Sequence, residues 1–424
     1  MSWKRLASIA VVGGAITAAA AALGGGAASA AAVAVRGTFT PVDPVRILDT
    51  RDGTGVADRH VGPLGKGQVT ELDVTGVGGA PDSGVGAVVL NVTVTQASGP
   101  GYVTVFPCGN ARPVASNVNF LRGVDVANQV SAKVGRDGHV CFFASAQTQL
   151  VADLSGWYGD DFAATPGFFY DQLSPQRIID TRDGTGLGSR AVGQLAAGEV
   201  LAVTIPGAGG VPADADVRAV TMNVTATGAT SSGYLTVFPC DRARPVVSNV
   251  NFDAGNSTIA NLATSRVSAA GQVCFTASTP TDLLVDVQGY FSPRPAVVFS
   301  SVDPVRVLDT RDGTGVVGSR PARPVAGSVI QLHVAGENGV PADAKAVLLN
   351  VTITDANGRG FVTAWPCGKP RPVASFLNFV RGVDQANLTP VRIGDGGNVC
   401  LFVHEGTQVV ADLNGYFTLY LAPV

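Results

Sequence analysis

Val88-Val89-Leu90-Asn91-Val92-Thr93-Val94-Thr95 sets apolar side chains at Val88, Leu90, Val92 and Val94 and polar ones at Asn91, Thr93 and Thr95. A period of two is that of a β-strand with one buried face, and branched residues suit its pleated backbone. The pattern returns with Val220, Met222 and Val224 inward and Asn223, Thr225 and Thr227 outward, and again at Val347, Leu349, Val351 and Ile353. These are antiparallel strands rather than helices. Gly101 to Phe106, Val140 to Phe143 and Leu150 to Leu154 are further β-rich runs bounded by turn residues. With 53 Gly and 25 Pro in 424 residues, turns are abundant. The chain therefore reads as all-β.

Around these strands a longer script repeats. Arg46-Ile47-Leu48-Asp49-Thr50-Arg51-Asp52-Gly53-Thr54-Gly55 recurs, nearly unchanged, at Arg177 to Gly186 and Arg306 to Gly315. The spacing is that of whole domains, not of solenoid turns. Each copy continues with Arg (Arg59, Arg190, Arg320), Asn-Val-Thr (Asn91, Asn223, Asn350) and Gly-aromatic-x-Thr (Tyr102, Tyr234, Phe361). Pro-Cys, Arg-Pro-Val (Arg112, Arg244, Arg371), Asn-Phe (Asn119, Asn251, Asn378) and Ala-Asn (Asn128, Asn261, Asn387) follow. A second Cys comes next, and Asp-x-x-Gly-aromatic closes each copy at Asp153, Asp286 and Asp412. Three tandem antiparallel β-sandwiches of roughly eight to ten strands are expected, over 37–159, 167–292 and 297–421. The joints, Gly159 to Pro166 and Ser292 to Pro295, are short, and the second is proline-rich, so the units are expected as beads on a stiff axis.

Residues 1–30 read as a signal peptide: Lys4 and Arg5, an apolar run from Leu6 to Leu23, and small residues at Ala28-Ser29-Ala30. The rival is a retained membrane anchor. Of 29 basic and 32 acidic side chains, losing Lys4 and Arg5 leaves a net charge of about −5, with no basic stripe to attract nucleic acid or anionic lipid. Secretion fits the six cysteines, two per unit. Because each unit must close its own core, Cys108–Cys141, Cys240–Cys274 and Cys367–Cys400 are the expected disulfides. Zinc is the weaker reading, since two Cys without recurring His cannot fill a tetrahedral site.

The recurring polar residues are where chemistry is sought. The Asp-Thr-Arg-Asp-Gly loop invites calcium, but a calcium loop takes oxygen donors at positions 1, 3 and 5, where Arg51 and Gly53 occupy the latter two. A structural clasp, with Arg46, Arg51 and Arg59 pairing with Asp49 and Asp52, is the competing account, and it is compatible with ligand contact. The four histidines, His60, His139, His333 and His404, do not correspond between units, so no repeated site uses one as a base. No catalytic residue, metal or cofactor is assigned. Phe106, Phe238, Trp365, Phe120, Phe252 and Phe379 fall in phase with strand interiors and read as core. In the neighbouring pairs Trp157-Tyr158, Tyr290-Phe291 and Tyr416-Phe417, one ring of each must leave the core, to pack on the adjoining unit or lie under a sugar. The candidate ligand-binding residues are thus Arg46, Asp49, Arg51, Asp52 and Trp157; Arg177, Asp180, Arg182, Asp183 and Tyr290; and Arg306, Asp309, Arg311, Asp312 and Tyr416.

The opening Arg-Ile-Leu-Asp-Thr-Arg-Asp-Gly-Thr-Gly, the Asn-Val-Thr strand, Pro-Cys-Gly with Arg-Pro, and the closing Asp-x-x-Gly-Tyr-Phe together resemble a repeat of secreted proteins in high-GC Gram-positive bacteria. Such repeats occur in tandem alone or beside cell-wall hydrolases such as peptidoglycan amidases. The resemblance covers about residues 37 to 421. It brings no established ligand or catalytic residue. Unit two departs most, with Gly255-Asn256-Ser257 in place of Gly123-Val124-Asp125. Five lysines against 24 arginines agree with a high-GC source. The expectation is a secreted, non-catalytic protein that binds the cell envelope or an extracellular polysaccharide multivalently and noncovalently, with a purely structural or adhesive surface protein as the alternative and a hydrolase as a distant third.

Overall fold

The computed structural model describes residues 35–421 except 57–59, 161–166, 215, 256, 317 and 319. The expected signal peptide, Arg59 and most of the first joint lie outside the described residues. A short β1 (Val35–Gly37) precedes the first repeat, whose strands are β2 (Phe39–Asp49), β3 (Val69–Asp73), β4 (Val85–Thr95), β5 (Gly101–Pro107), β6 (Val118–Phe120), β7 (Val126–Lys133), β8 (His139–Ala144) and β9 (Gln149–Gly159). The second repeat holds β10 (Phe169–Asp180), β11 (Val200–Thr204), β12 (Ala219–Thr227), β13 (Gly233–Pro239), β14 (Val250–Phe252), β15 (Ile259–Arg266), β16 (Gln272–Ala277) and β17 (Asp282–Ser292). The third holds β18 (Val297–Asp309), β19 (Val329–His333), β20 (Ala346–Thr354), β21 (Gly360–Pro366), β22 (Leu377–Phe379), β23 (Gln385–Arg392), β24 (Asn398–Val403) and β25 (Gln408–Leu419).

In the first repeat the sheets run β2-β9-β4-β7 and β3-β8-β5-β6. The second and third repeat this order, as β10-β17-β12-β15 with β11-β16-β13-β14 and β18-β25-β20-β23 with β19-β24-β21-β22. Counting the eight strands of a repeat in chain order, each is an antiparallel sandwich ordered 1-8-3-6 over 2-7-4-5, the arrangement of a jelly roll. Val88, Leu90, Val92 and Val94 of β4 lie in the first sandwich core with Val105, Phe142 and Leu154. The disulfides are Cys108–Cys141, Cys240–Cys274 and Cys367–Cys400. Each ties the end of one outer-sheet strand to its neighbour, closing a loop that contributes about 3–4 kcal/mol by the chain-entropy account. Phe106 and Trp365 pack on these bridges in small satellite clusters rather than in the sandwich cores.

The beads-on-an-axis expectation fails at the polar face of β4. Asn91, Thr93 and Thr95 are as buried as the apolar residues between them, because the next repeat covers them. Asn91 donates its Nδ2 to the Ser248 carbonyl at 2.5 Å and receives Asn261 Nδ2 at 3.4 Å. Asn223 donates to the Ser375 carbonyl at 2.9 Å and receives Asn387 at 3.1 Å. Asn350 donates to the Ser116 carbonyl at 2.6 Å and receives Asn128 at 3.0 Å. First meets second, second meets third, and third returns to first: the three sandwiches close into a ring of pseudo-threefold symmetry. Ion pairs rim two junctions, Asp43 with Arg242 and Arg266 in one and Asp303 with Lys133 in another. At the remaining one Arg392 donates to the Gln172 carbonyl.

The opening strands meet at the axis. Phe39 and Phe168 exchange both backbone hydrogen bonds, β1 pairs with β18, and Tyr170 pairs with Val297. Here the paired aromatics find their place. Trp157, Tyr290 and Tyr416 fill the cores of their own sandwiches, while Tyr158, Phe291 and Phe417 project to the axis. Phe39, Phe291, Tyr170, Phe417, Phe299 and Tyr158 form a closed circuit in which consecutive ring centroids lie 4.4–5.1 Å apart. Packing on the adjoining repeats, rather than lying under a sugar, is therefore what the second ring of each pair does. The closing glycine follows from the same packing: a Cβ at Gly289 would sit 2.3 Å from the Tyr170 hydroxyl, and one at Gly415 2.4 Å from the Phe299 ring.

Candidate functional site

The Asp/Arg loop is a clasp built at the end of the first strand of each repeat. Asp49, 2% exposed, accepts hydrogen bonds from Arg51 backbone N (3.0 Å), Arg51 Nε (2.8 Å), Arg51 Nη2 (2.6 Å) and Arg46 Nη1 (3.2 Å). Arg46 also holds Asp153 through Nε at 2.9 Å. Arg177 bridges Asp180 and Asp286 at 2.8 and 2.6 Å, and Arg306 bridges Asp309 and Asp412 at 2.9 and 2.6 Å; Arg182 and Arg311 repeat the role of Arg51. Burial raises the Asp49 pKa, but the Arg51 hydrogen bonds and the two guanidinium charges outweigh it and hold the carboxyl below its ordinary value. For Asp153 burial, helped by the Asp49 charge, outweighs the Arg46 hydrogen bond and the charges of Arg46 and Arg51, and its pKa is raised.

With its oxygens taken by guanidinium and amide donors, Asp49 has no lone pair directed at a cation, which does not fit a calcium site. Asp52 is not part of the clasp: it is exposed and its Oδ1 caps the turn by accepting the Thr54 amide at 2.9 Å, as Asp183 and Asp312 do for Thr185 and Thr314. Arg190, which the motif aligns with Arg59, binds Glu199 at 2.6 Å instead of a clasp aspartate. Among the described residues the one cluster with metal-ligand chemistry, Glu71 with Cys108 and Cys141, has its sulfurs joined in a disulfide.

Trp157, Tyr290 and Tyr416 leave the candidate surface altogether. They are 7, 7 and 3% exposed, and burial together with the nearby Asp171, with which Tyr290 is hydrogen-bonded, raises the Tyr290 pKa. A ring held in a sandwich core cannot lie under a sugar.

The outer edges of the clasps do face open space, in grooves where two repeats meet. One groove, of about 220 Å³, has Arg46, Arg51, Thr93, Thr95 and Asp125 from the first repeat and Tyr234, Val246, Ser248 and Asn251 from the second. Another, of about 300 Å³, has Arg306, Arg311, Thr352, Thr354 and Asp384 from the third and Tyr102, Arg112, Val114, Ser116 and Asn119 from the first. These are the same place in two copies. In both, the Asn of the Asn-Phe motif leaves Oδ1 without a hydrogen-bond partner. In both, the valine of Arg-Pro-Val is almost fully exposed, at 85% for Val246 and 81% for Val114. At the remaining junction Phe361 replaces the tyrosine and Ser257 the aspartate.

Tyr102, Tyr234, Asn119, Asn251 and the Arg-Pro-Val loop were visible in the sequence as recurring motifs, but nothing local marks them as facing the clasp of another repeat. Only ring closure brings them together.

No protein-family model matches the chain, and no curated protein sequence matches it. Among solved structures, an atomic structure of Sulfolobus turreted icosahedral virus aligns over 90% of both chains at 10% identity with a TM-score of 0.19. A structure described as the triple jelly roll fold and turret assembly in an archaeal virus gives the same values. The N-terminal CBM22-1-CBM22-2 tandem domain of Paenibacillus barcinonensis Xyn10C aligns over 59% of this chain and 94% of that one, at 9% identity and a TM-score of 0.17. At such scores these likenesses carry no argument about this chain.

Proposed function

We propose that the chain is a secreted, non-catalytic protein of the cell surface that binds the cell envelope or another extracellular polysaccharide, using the grooves between its repeats. The observation that carries this reading is the recurrence of one groove: a fixed guanidinium pair, an exposed tyrosine, an unpartnered amide oxygen and an exposed valine meet at two junctions. Concave sites with a few convergent polar groups and an amphipathic ring are the usual form of a small-ligand or glycan site. Three disulfides suit an oxidising, extracellular setting. Among the described residues no helix is long and apolar enough to cross a membrane. Two grooves on one rigid ring make the second contact intramolecular, which raises retention on a repetitive polymer without new contacts.

The test is co-sedimentation of the intact chain with insoluble cell wall, chitin and cellulose, beside the double variant Tyr102→Ala/Tyr234→Ala. Retention of the native chain on one of these, and its loss in the variant, supports the reading. The architectural alternative rests on a specific observation too: the Asn pairs and most of the Arg/Asp groups are spent on internal contacts. Absence of retention on every matrix would favour it.

A further inference from the structure

We propose that the groove between the third and first repeats is the principal ligand site, and that it takes an uncharged, hydroxyl-rich sugar chain; this rests on the polymer-binding reading above and narrows it. The two grooves are built on one plan but are not equally finished. Beside Tyr102, Arg112 lays its guanidinium 3.6 Å above the Phe143 ring, and Phe143 lies 6.0 Å from the Tyr102 ring. Tyrosine, guanidinium plane and phenylalanine thus form one braced wall. The second repeat has Thr276 at the strand position of Phe143, paired with Thr236 as Phe143 is with Thr104, so Tyr234 has no such brace.

The polar lining differs as well. Thr352 is 4% exposed and its Oγ1 has no hydrogen-bond partner, as is true of Asn119 Oδ1 in the same groove. A buried polar atom left unpaired is costly, and a ligand hydroxyl that reaches it removes the cost on binding. Its counterpart in the smaller groove, Thr93, already receives Asn91 Nδ2 at 3.4 Å. The larger groove, of about 300 Å³, thus holds two orphan oxygens, Asn119 Oδ1 and Thr352 Oγ1, where the smaller holds Asn251 Oδ1.

Charge decides the ligand class. Arg306 and Arg311 are held on Asp309 and Asp412 at 2.6–2.9 Å, and Arg112 is matched in number by the exposed Asp384 across the groove. Three guanidiniums against three carboxylates leave no net charge to capture an anion or a cation. What the groove offers is an aromatic face, guanidinium N–H donors and oxygens awaiting a hydroxyl. That is the complement of a neutral pyranose, apolar on its face and hydroxylated at its edge.

Calorimetric titration of the intact chain with chitohexaose, cellohexaose, xylohexaose and, as the anionic probe, hexagalacturonate tests this. The expected result is binding of at least one uncharged hexamer in preference to hexagalacturonate. Tyr102→Ala and the isosteric Thr352→Val should each weaken it at least tenfold, and several-fold more than Tyr234→Ala does. Preference for hexagalacturonate overturns the ligand class, and equal losses in Tyr102→Ala and Tyr234→Ala overturn the asymmetry. If no uncharged hexamer binds while the chain still sediments with cell wall, this inference falls and the polymer-binding reading stands; failure of both binding and sedimentation removes both.

Discussion

Asp49 carries four hydrogen bonds from the side chains of two arginines and a backbone amide, and Asp180 and Asp309 repeat all four. Asp49→Ala leaves Arg46 and the half-exposed Arg51 without their partner, and because water reaches Arg51 the cost in denaturant unfolding should be about 1 kcal/mol. The pH dependence has a definite sign. A carboxyl whose folded pKa lies below its unfolded value of about 3.9 stabilises the fold above that pH and loses the contribution as pH falls through the folded value. Asp49, Asp180 and Asp309 are of this kind. Asp153, Asp286 and Asp412 are raised by burial and act oppositely, taking up protons in the folded state first. Unfolding free energy measured from pH 7 downward should therefore fall steeply only below about pH 4, and Asp49→Asn should flatten that fall. A profile unchanged by Asp49→Asn would show that the clasp contributes nothing to acid stability. The pairing of Asp49 with Arg46 and Arg51 was legible in the sequence because the partners lie within a few residues, whereas the share of the closing Asp153 in the clasp, and the absence of Asp52 from it, were not. The pairing of Asn91 with Asn261 was not, because the two belong to different copies and neither has a local signal for the other.

At the level of elements, β4, β12 and β20 read as strands from their alternation, and so they are. Such alternation ordinarily means one wet face, since polar residues usually mark solvent. Here the polar face is buried against the next repeat, with each strand's asparagine bonded to an asparagine and a serine carbonyl across the junction. The aromatic pairs after Gly156, Gly289 and Gly415 were legible as two-faced, but the destination of the second ring was open. The closed circuit at the axis gives those elements a titration signature. Burial pushes the Tyr158 and Tyr170 phenols well above their ordinary value. Phenolate absorbance at about pH 11 should therefore show Tyr158 and Tyr170, two of the seven tyrosines, un-ionised until the chain unfolds. Because a phenol raised in the folded state stabilises only below its unfolded pKa, stability should decline as pH rises past about 10. Smooth ionisation of all tyrosines without unfolding would contradict the buried circuit.

The whole molecule is where sequence reading and structure part most clearly. Short joints containing proline read as stiff spacers, and a stiff spacer suggests a rod. The ring instead follows from surfaces that no joint reveals: three polar strand faces and six axial rings, each complementary to the copy beside it. A rod of three domains and a closed ring of the same domains differ in size by an amount scattering resolves. From the usual scaling of domain size with length, three beads in line have a radius of gyration of about 32 Å, and the same mass closed on itself about 21–25 Å. Small-angle scattering from the chain lacking its first 34 residues is the most direct test: a value of about 21–25 Å is predicted, and one of about 32 Å would contradict the closed ring.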